Sequence, residues 1–109
     1  MALNINDILN QMLQVAEKSL GAKWPAISDI ATSEFKKLSQ NIIDIEEMKS
    51  NGTISEEKAK LQIEIQKNAI KTVLLTEKGL SLLAVESAIN GALGVIANVV
   101  NTAIGWSIL

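Results

Sequence analysis

The sequence reads as an all-α protein: an antiparallel helical bundle of three long amphipathic helices plus a shorter N-terminal helix, ending in a very apolar C-terminal helix. Three observations carry that reading. Apolar residues recur at steps of three and four through most of the chain, a helical period. Only three of 109 residues are aromatic while 48% are apolar, so the core is built from Ile, Leu, Val and Ala, which suits closely spaced helices. Gly21, Gly52, Gly79 and the single proline fall at the ends of these periodic runs, where they act as stops.

The first stripe is Ile5, Ile8, Leu9, Met12, Leu13, Ala16 and Leu20, a helix over about residues 5–20. Asn4, with Asp7 three residues later, has the form of an N-terminal cap, and Gly21 ends the run. In the connector Ala22-Lys23-Trp24-Pro25, proline disfavours helix at Trp24 and can open the next helix as its first residue, so Trp24 is expected to pack across the joint. The second stripe, Ile27, Ile30, Ala31, Phe35, Leu38, Ile42, Ile45 and Met48, predicts a helix over about residues 26–50, with Asp29, Glu34, Lys36, Lys37, Asp44 and Glu47 mostly off it. Such a helix is roughly 36 Å long.

Asn51-Gly52 then turns the chain as an αα-hairpin. Asn51-Gly52-Thr53 also fits a glycosylation acceptor, but with no secretory signal in view it reads as a turn. Ser55, or the run from Thr53 to Glu56, caps a third helix over about residues 55–78, with Glu56 and Glu57 in its first turn as the helix dipole favours. Its stripe is Ala59, Ile63, Gln66, Ile70, Val73 and Leu80, broadened by Leu61, Ile65, Ala69 and Leu74. At Gly79 two arrangements are open, a break or one long kinked helix from Glu56 onward; the break is favoured. One domain over residues 1–109 accommodates all four helices, the last over about residues 80–108.

That last segment is unlike the rest. From residue 80 to the end the only charged residue is Glu86, a span long enough to cross a bilayer. A bulky seam of Leu82, Val85, Ile89, Ala92, Ile96, Val99 and Ala103, widened by Leu93, Val100 and Ile104, is expected to pack on the chain's own helices. Nearly opposite runs a seam of small or amide residues, Ala84, Ser87, Gly91, Gly94, Asn98, Asn101 and Gly105. Small residues let another helix approach closely and Asn can hydrogen-bond across such a contact, so these seven are the candidate interface. Against it stands ordinary composition in a buried helix, where each glycine costs about 1 kcal/mol relative to alanine.

Several classes of function are disfavoured. There is no Cys and no His, which removes disulfides, the usual zinc ligands and histidine-based catalysis. A ferritin-like carboxylate site needs Glu-x-x-His on facing helices; Glu64 and Glu86 lie near apolar stripes, and pairing with Lys or Asn is the expected reading of both. All ten basic residues are Lys and the net charge is −2, so there is no electrostatic footprint for nucleic acid. No phosphate-binding loop occurs. No enzyme activity, cofactor, metal or small-molecule substrate is expected.

The remaining expectation is a non-enzymatic, self-associating protein, a structural subunit or assembly module forming a homo-oligomer or filament through its last helix. The alternative is a membrane-active protein that inserts residues 80–109 into a bilayer as a pore component or anchor. Asn90, Asn98 and Asn101 oppose it, each costly at mid-bilayer, as does the lack of a Lys beyond the segment. A third reading is a small adaptor that binds a partner's helix in the same groove. The N-terminus lacks a basic region and an unbroken apolar run, so the cytoplasm is the default location, with export by a signal-independent route also open.

Overall fold

The computed structural model describes residues 3–78 and 80–109, and among these the regular structure is all helical, with no strand. Helix α1 spans Ile5–Leu20, a single 3-10 turn spans Gly21–Lys23, α2 spans Trp24–Ser50, α3 spans Glu56–Lys78 and α4 spans Leu82–Ile104. Helix α1, the 3-10 turn and α2 follow one another from Ile5 to Ser50 without an intervening loop, so the described residues make three separate helical stretches rather than four. Gly79 itself lies outside the described residues, but α3 and α4 are distinct helices on either side of it.

The joint between α1 and α2 corrects the expectation for Trp24. Its φ and ψ, −56° and −47°, are helical although proline follows. Gly21, at φ 56°, ends α1 in a conformation closed to most other residues. The following 3-10 turn, closed by the Trp24 N–H on the Gly21 carbonyl, feeds directly into α2. Proline in the first turn loses nothing there, because that N–H has no helical acceptor anyway. The half-buried Trp24 ring packs on the core and holds the turn.

The other boundaries follow from local chemistry. Asn4 Oδ1 accepts the Asn6 and Asp7 N–H groups at 2.9 and 3.2 Å, Ser55 Oγ accepts the Lys58 N–H at 3.2 Å, and Ser81 Oγ accepts the Ala84 N–H at 3.1 Å. Each satisfies a donor that the helix start leaves orphaned. At the end of α2 the Thr53 N–H reaches back to the Met48 carbonyl at 2.8 Å and Gly52 takes a positive φ, which closes the helix in the Schellman manner. The last helix begins at Leu82 and stops at Ile104, short of the expected residue 108. Gly105 sits at φ 86° and ψ 13°, in the left-handed region, and donates back to the Asn101 carbonyl.

The buried stripes meet in one core. It contains Ile8, Met12 and Ala16 of α1, Phe35, Leu38, Ile42 and Ile45 of α2, Ile70 and Leu74 of α3, and Val85, Ile89, Ala92 and Ile96 of α4. Full burial of each large aliphatic side chain contributes about 1.5–3 kcal/mol. The most extensive helix contact is α1 on α4, followed by α2 on α3 and α1 on α2; α4 meets α3 and α2 more sparsely. Alanines at 16, 88 and 92, all fully buried, let α1 and α4 come close. The Asn41 amide donates to Gln66 Oε1 at 3.2 Å between α2 and α3, and Lys71 meets Glu86 at 3.5 Å between α3 and α4.

The exposed surface is 5957 Å², and a compact chain of this mass exposes about 5,900 Å². The single chain is therefore as compact as a folded domain of its mass. Three polar residues lie inside the helix faces where the periodicity placed none. Ser39 satisfies its hydroxyl on the Phe35 carbonyl at 3.0 Å, and Glu34 pairs with Lys37 at 2.9 Å. Glu46, 7% exposed, leaves Oε1 without a hydrogen-bond partner.

Candidate interface on the last helix

Helix α4 turns its two seams to unlike surroundings. Val85, Ala88, Ile89, Ala92, Leu93, Ile96, Val100 and Ile104 are buried. Leu82 and Val99, both expected inside, are instead 51% and 52% exposed. Leu82 opens the helix, before the first full turn is covered. Val99 stands at the flank of the buried arc, beside the buried Val100. Helix α4 is also the one described helix with the length and hydropathy of a membrane span, and 39% of its most apolar window is buried inside the fold. Core helices of soluble proteins share its length and hydropathy but are mostly buried.

The seven residues of the small seam divide into three groups. Gly91 faces the chain's own α1: a Cβ placed on it would lie 2.9 Å from Val15 Cγ1 and 3.9 Å from Ser19 Oγ. Its missing side chain is what admits α1 at this level, and Ala84, half-buried, is on the same flank. Asn101 and Gly105 serve the end of the helix. Asn101 Oδ1 accepts the Ile108 and Leu109 N–H groups at 3.0 and 3.1 Å, and Gly105 reverses the chain.

Ser87, Gly94 and Asn98 are exposed. A Cβ on Gly94 would meet nothing within 4 Å, so the space beside it is open. Asn98 borders a shallow depression with Leu3, Val99, Thr102 and Ala103. Periodicity missed the large apolar residues on this open side, Leu83 at 80%, Val95 at 43% and Val99. With Asn90 and Thr102, also exposed, they make the outer face of α4 uncharged from Ser87 to the end of the helix.

The carboxylates assemble no centre. Glu86 pairs with Lys71, Glu64 is exposed, and among the described residues no group of three or more metal-ligating side chains comes together. A polar cleft between α3 and α4, lined by Glu64, Lys67, Lys71, Glu86 and Asn90, holds acids and bases in equal number. Comparison with protein-family models, curated proteins and solved structures finds no match to this chain.

Proposed function

We propose that this protein is a non-enzymatic structural subunit, an antiparallel bundle of three long helices and a shorter N-terminal one, that self-associates through the outer face of α4. The observation that supports it most is the uncharged outer face of α4, which leaves Leu83, Val95 and Val99 in water while Gly94 keeps the surface low between them. An ordinary surface helix carries a charged outer strip, as α2 does with Lys36, Lys37 and Asp44. An uncharged face with a low centre accepts a second helix without desolvating an ion.

The test is mass in solution without detergent, by light scattering or sedimentation, for the wild type, Gly94→Leu and Val99→Glu. The wild type is expected at a multiple of the single-chain mass, and both variants at the single-chain mass with unchanged helical circular dichroism. A wild type at single-chain mass, or variants that keep the wild-type mass, ends this reading.

The second reading, a membrane-active protein that inserts α4, draws on the mean hydropathy of 1.6 reached by an 18-residue window of this 23-residue helix. Flotation with neutral phosphatidylcholine vesicles tests it, and protein left in the dense fraction sinks it. A detergent-free monomer that ignores vesicles leaves the third reading, a small adaptor for a partner's helix.

A further inference from the structure

Beyond Ile104 the chain is fastened by two side chains. Lys49, in the last turn of α2, donates to the Ile104 carbonyl, an acceptor left free by the end of α4. Its ammonium also lies over the Trp106 ring, 4.8 Å from the centroid, within cation–π range. Asn101 holds the far side of the turn. Its Oδ1 accepts from Ile108 and Leu109, and its Nδ2 donates to the Leu109 carbonyl at 3.5 Å. Ile108, 6% exposed, is thereby held in the buried cluster with Ile63 of α3 and Leu93 of α4, and the three share the lining of one groove.

We infer that residues 101–109 form a latch that opens and closes as one unit, and that its opening uncovers Ile63 and Leu93 while the helical core stays intact. The reasoning is one of connectivity. The polar ties of the segment run through Lys49 and Asn101, and Gly105 joins them across a single turn. Loss of the Lys49 ammonium frees the Ile104 carbonyl and the indole together. Loss of the Asn101 amide leaves the Ile108 N–H only the Trp106 carbonyl, at 3.1 Å, and so loosens the apolar anchor of the segment that carries Trp106. Elsewhere α4 is bound extensively only to α1, and Lys49 makes the one side-chain hydrogen bond from α2 to α4 among the described residues. The latch therefore governs how firmly α4 is closed against α2 and α3, whether or not copies of the chain associate.

The test uses the full chain with Trp24→Phe, which leaves Trp106 as the sole indole, and reads amide hydrogen exchange together with fluorescence. Lys49→Met keeps the aliphatic stem and removes the charge. It is expected to speed exchange of residues 101–109 by about tenfold, the loss of one charge-assisted hydrogen bond, and to shift Trp106 emission to the red. Residues 8–16 and 35–45 are expected to keep their protection, and Lys49→Arg to restore the latch. Asn101→Ala supplies the decisive readout, since Asn101 makes no hydrogen bond to Trp106: a unitary latch shifts the Trp106 emission in this variant too. The inference is overturned if Asn101→Ala frees residues 108 and 109 without moving that emission. It is equally overturned if Lys49→Met leaves residues 101–109 protected or loosens all helices alike.

Discussion

Val15 Cγ1 lies so close to the backbone of Gly91 that a Cβ there would sit 2.9 Å from it, while three residues later the same addition at Gly94 would touch nothing. Two glycines of one helix thus have opposite uses. At Gly91, alanine offers about 1 kcal/mol in helix propensity, but the methyl collides with a β-branched side chain whose rotamer is stiff on a helix. Relieving such an overlap costs about 1–3 kcal/mol. Gly91→Ala is expected to lower stability by about 1 kcal/mol and Gly94→Ala to raise it by about the same. Urea denaturation of both variants checks the pair, and Val15→Ala in the Gly91→Ala background is expected to restore part of the loss.

Glu46 supplies a second prediction. A buried carboxylate oxygen without a hydrogen-bond partner has given up water for nothing, a penalty of about 1–3 kcal/mol. Glu46→Met removes the oxygens and keeps the length of the side chain, so it is expected to raise the unfolding free energy by about 1 kcal/mol or more. A lower denaturation midpoint would show that the carboxylate is satisfied in solution.

These two sites also mark where sequence reasoning stops. The capping of α1 by Asn4, the Asn51-Gly52 turn and the Ser55 cap all depend on neighbours within a few residues, so spacing alone exposes them. The stripe from Ile27 to Ile45 is equally local. Periodicity states which side of a helix is apolar, but not how far each neighbour reaches around it. Hence Glu34 and Glu46 fall inside the covered arc of α2, and Val99 falls outside that of α4. The small seam suffered the same blindness: its close approach at Gly91 is filled by α1 of the same chain. Val15 and Ser19, which meet Gly91, lie off the main stripe of α1, so spacing does not mark them as partners of α4.

Gly105 permits a sharper test of backbone geometry. At φ 86° it terminates α4, and a side chain there is strained by about 1 kcal/mol in the left-handed region. Added bulk also points toward the Lys49 ammonium, whose flexible stem can yield only by leaving the Ile104 carbonyl. Gly105→Ala is therefore expected to cost about 1 kcal/mol through the backbone, with the weakened Lys49 tie in addition. Asn at this position, which tolerates the left-handed region better, is expected to cost less than Ala. Thermal or urea unfolding of the two variants ranks them, and equal losses would place the cost in the crowding rather than in φ.

A second exposed apolar ridge makes the α4 proposal testable against mere stickiness. Leu61 and Ile65, one turn apart on α3, are 58% and 60% exposed, more so than Val95 and Val99 at 43% and 52%. If any bare aliphatic surface drives association, removing the α3 ridge weakens it at least as much as altering α4. The α3 ridge, however, lies among charged neighbours: Glu57, Lys58, Lys60 and Glu64 are all exposed along the same helix, and burying it would desolvate them. The outer face of α4 carries no such cost. The double variant Leu61→Lys/Ile65→Lys is therefore expected to keep the wild-type mass in solution, and Val95→Lys/Val99→Lys to fall to the single-chain mass. Both pairs are surface changes, expected to alter folding stability by no more than about 0.5 kcal/mol each. Loss of association in the α3 variant would move the interface away from α4.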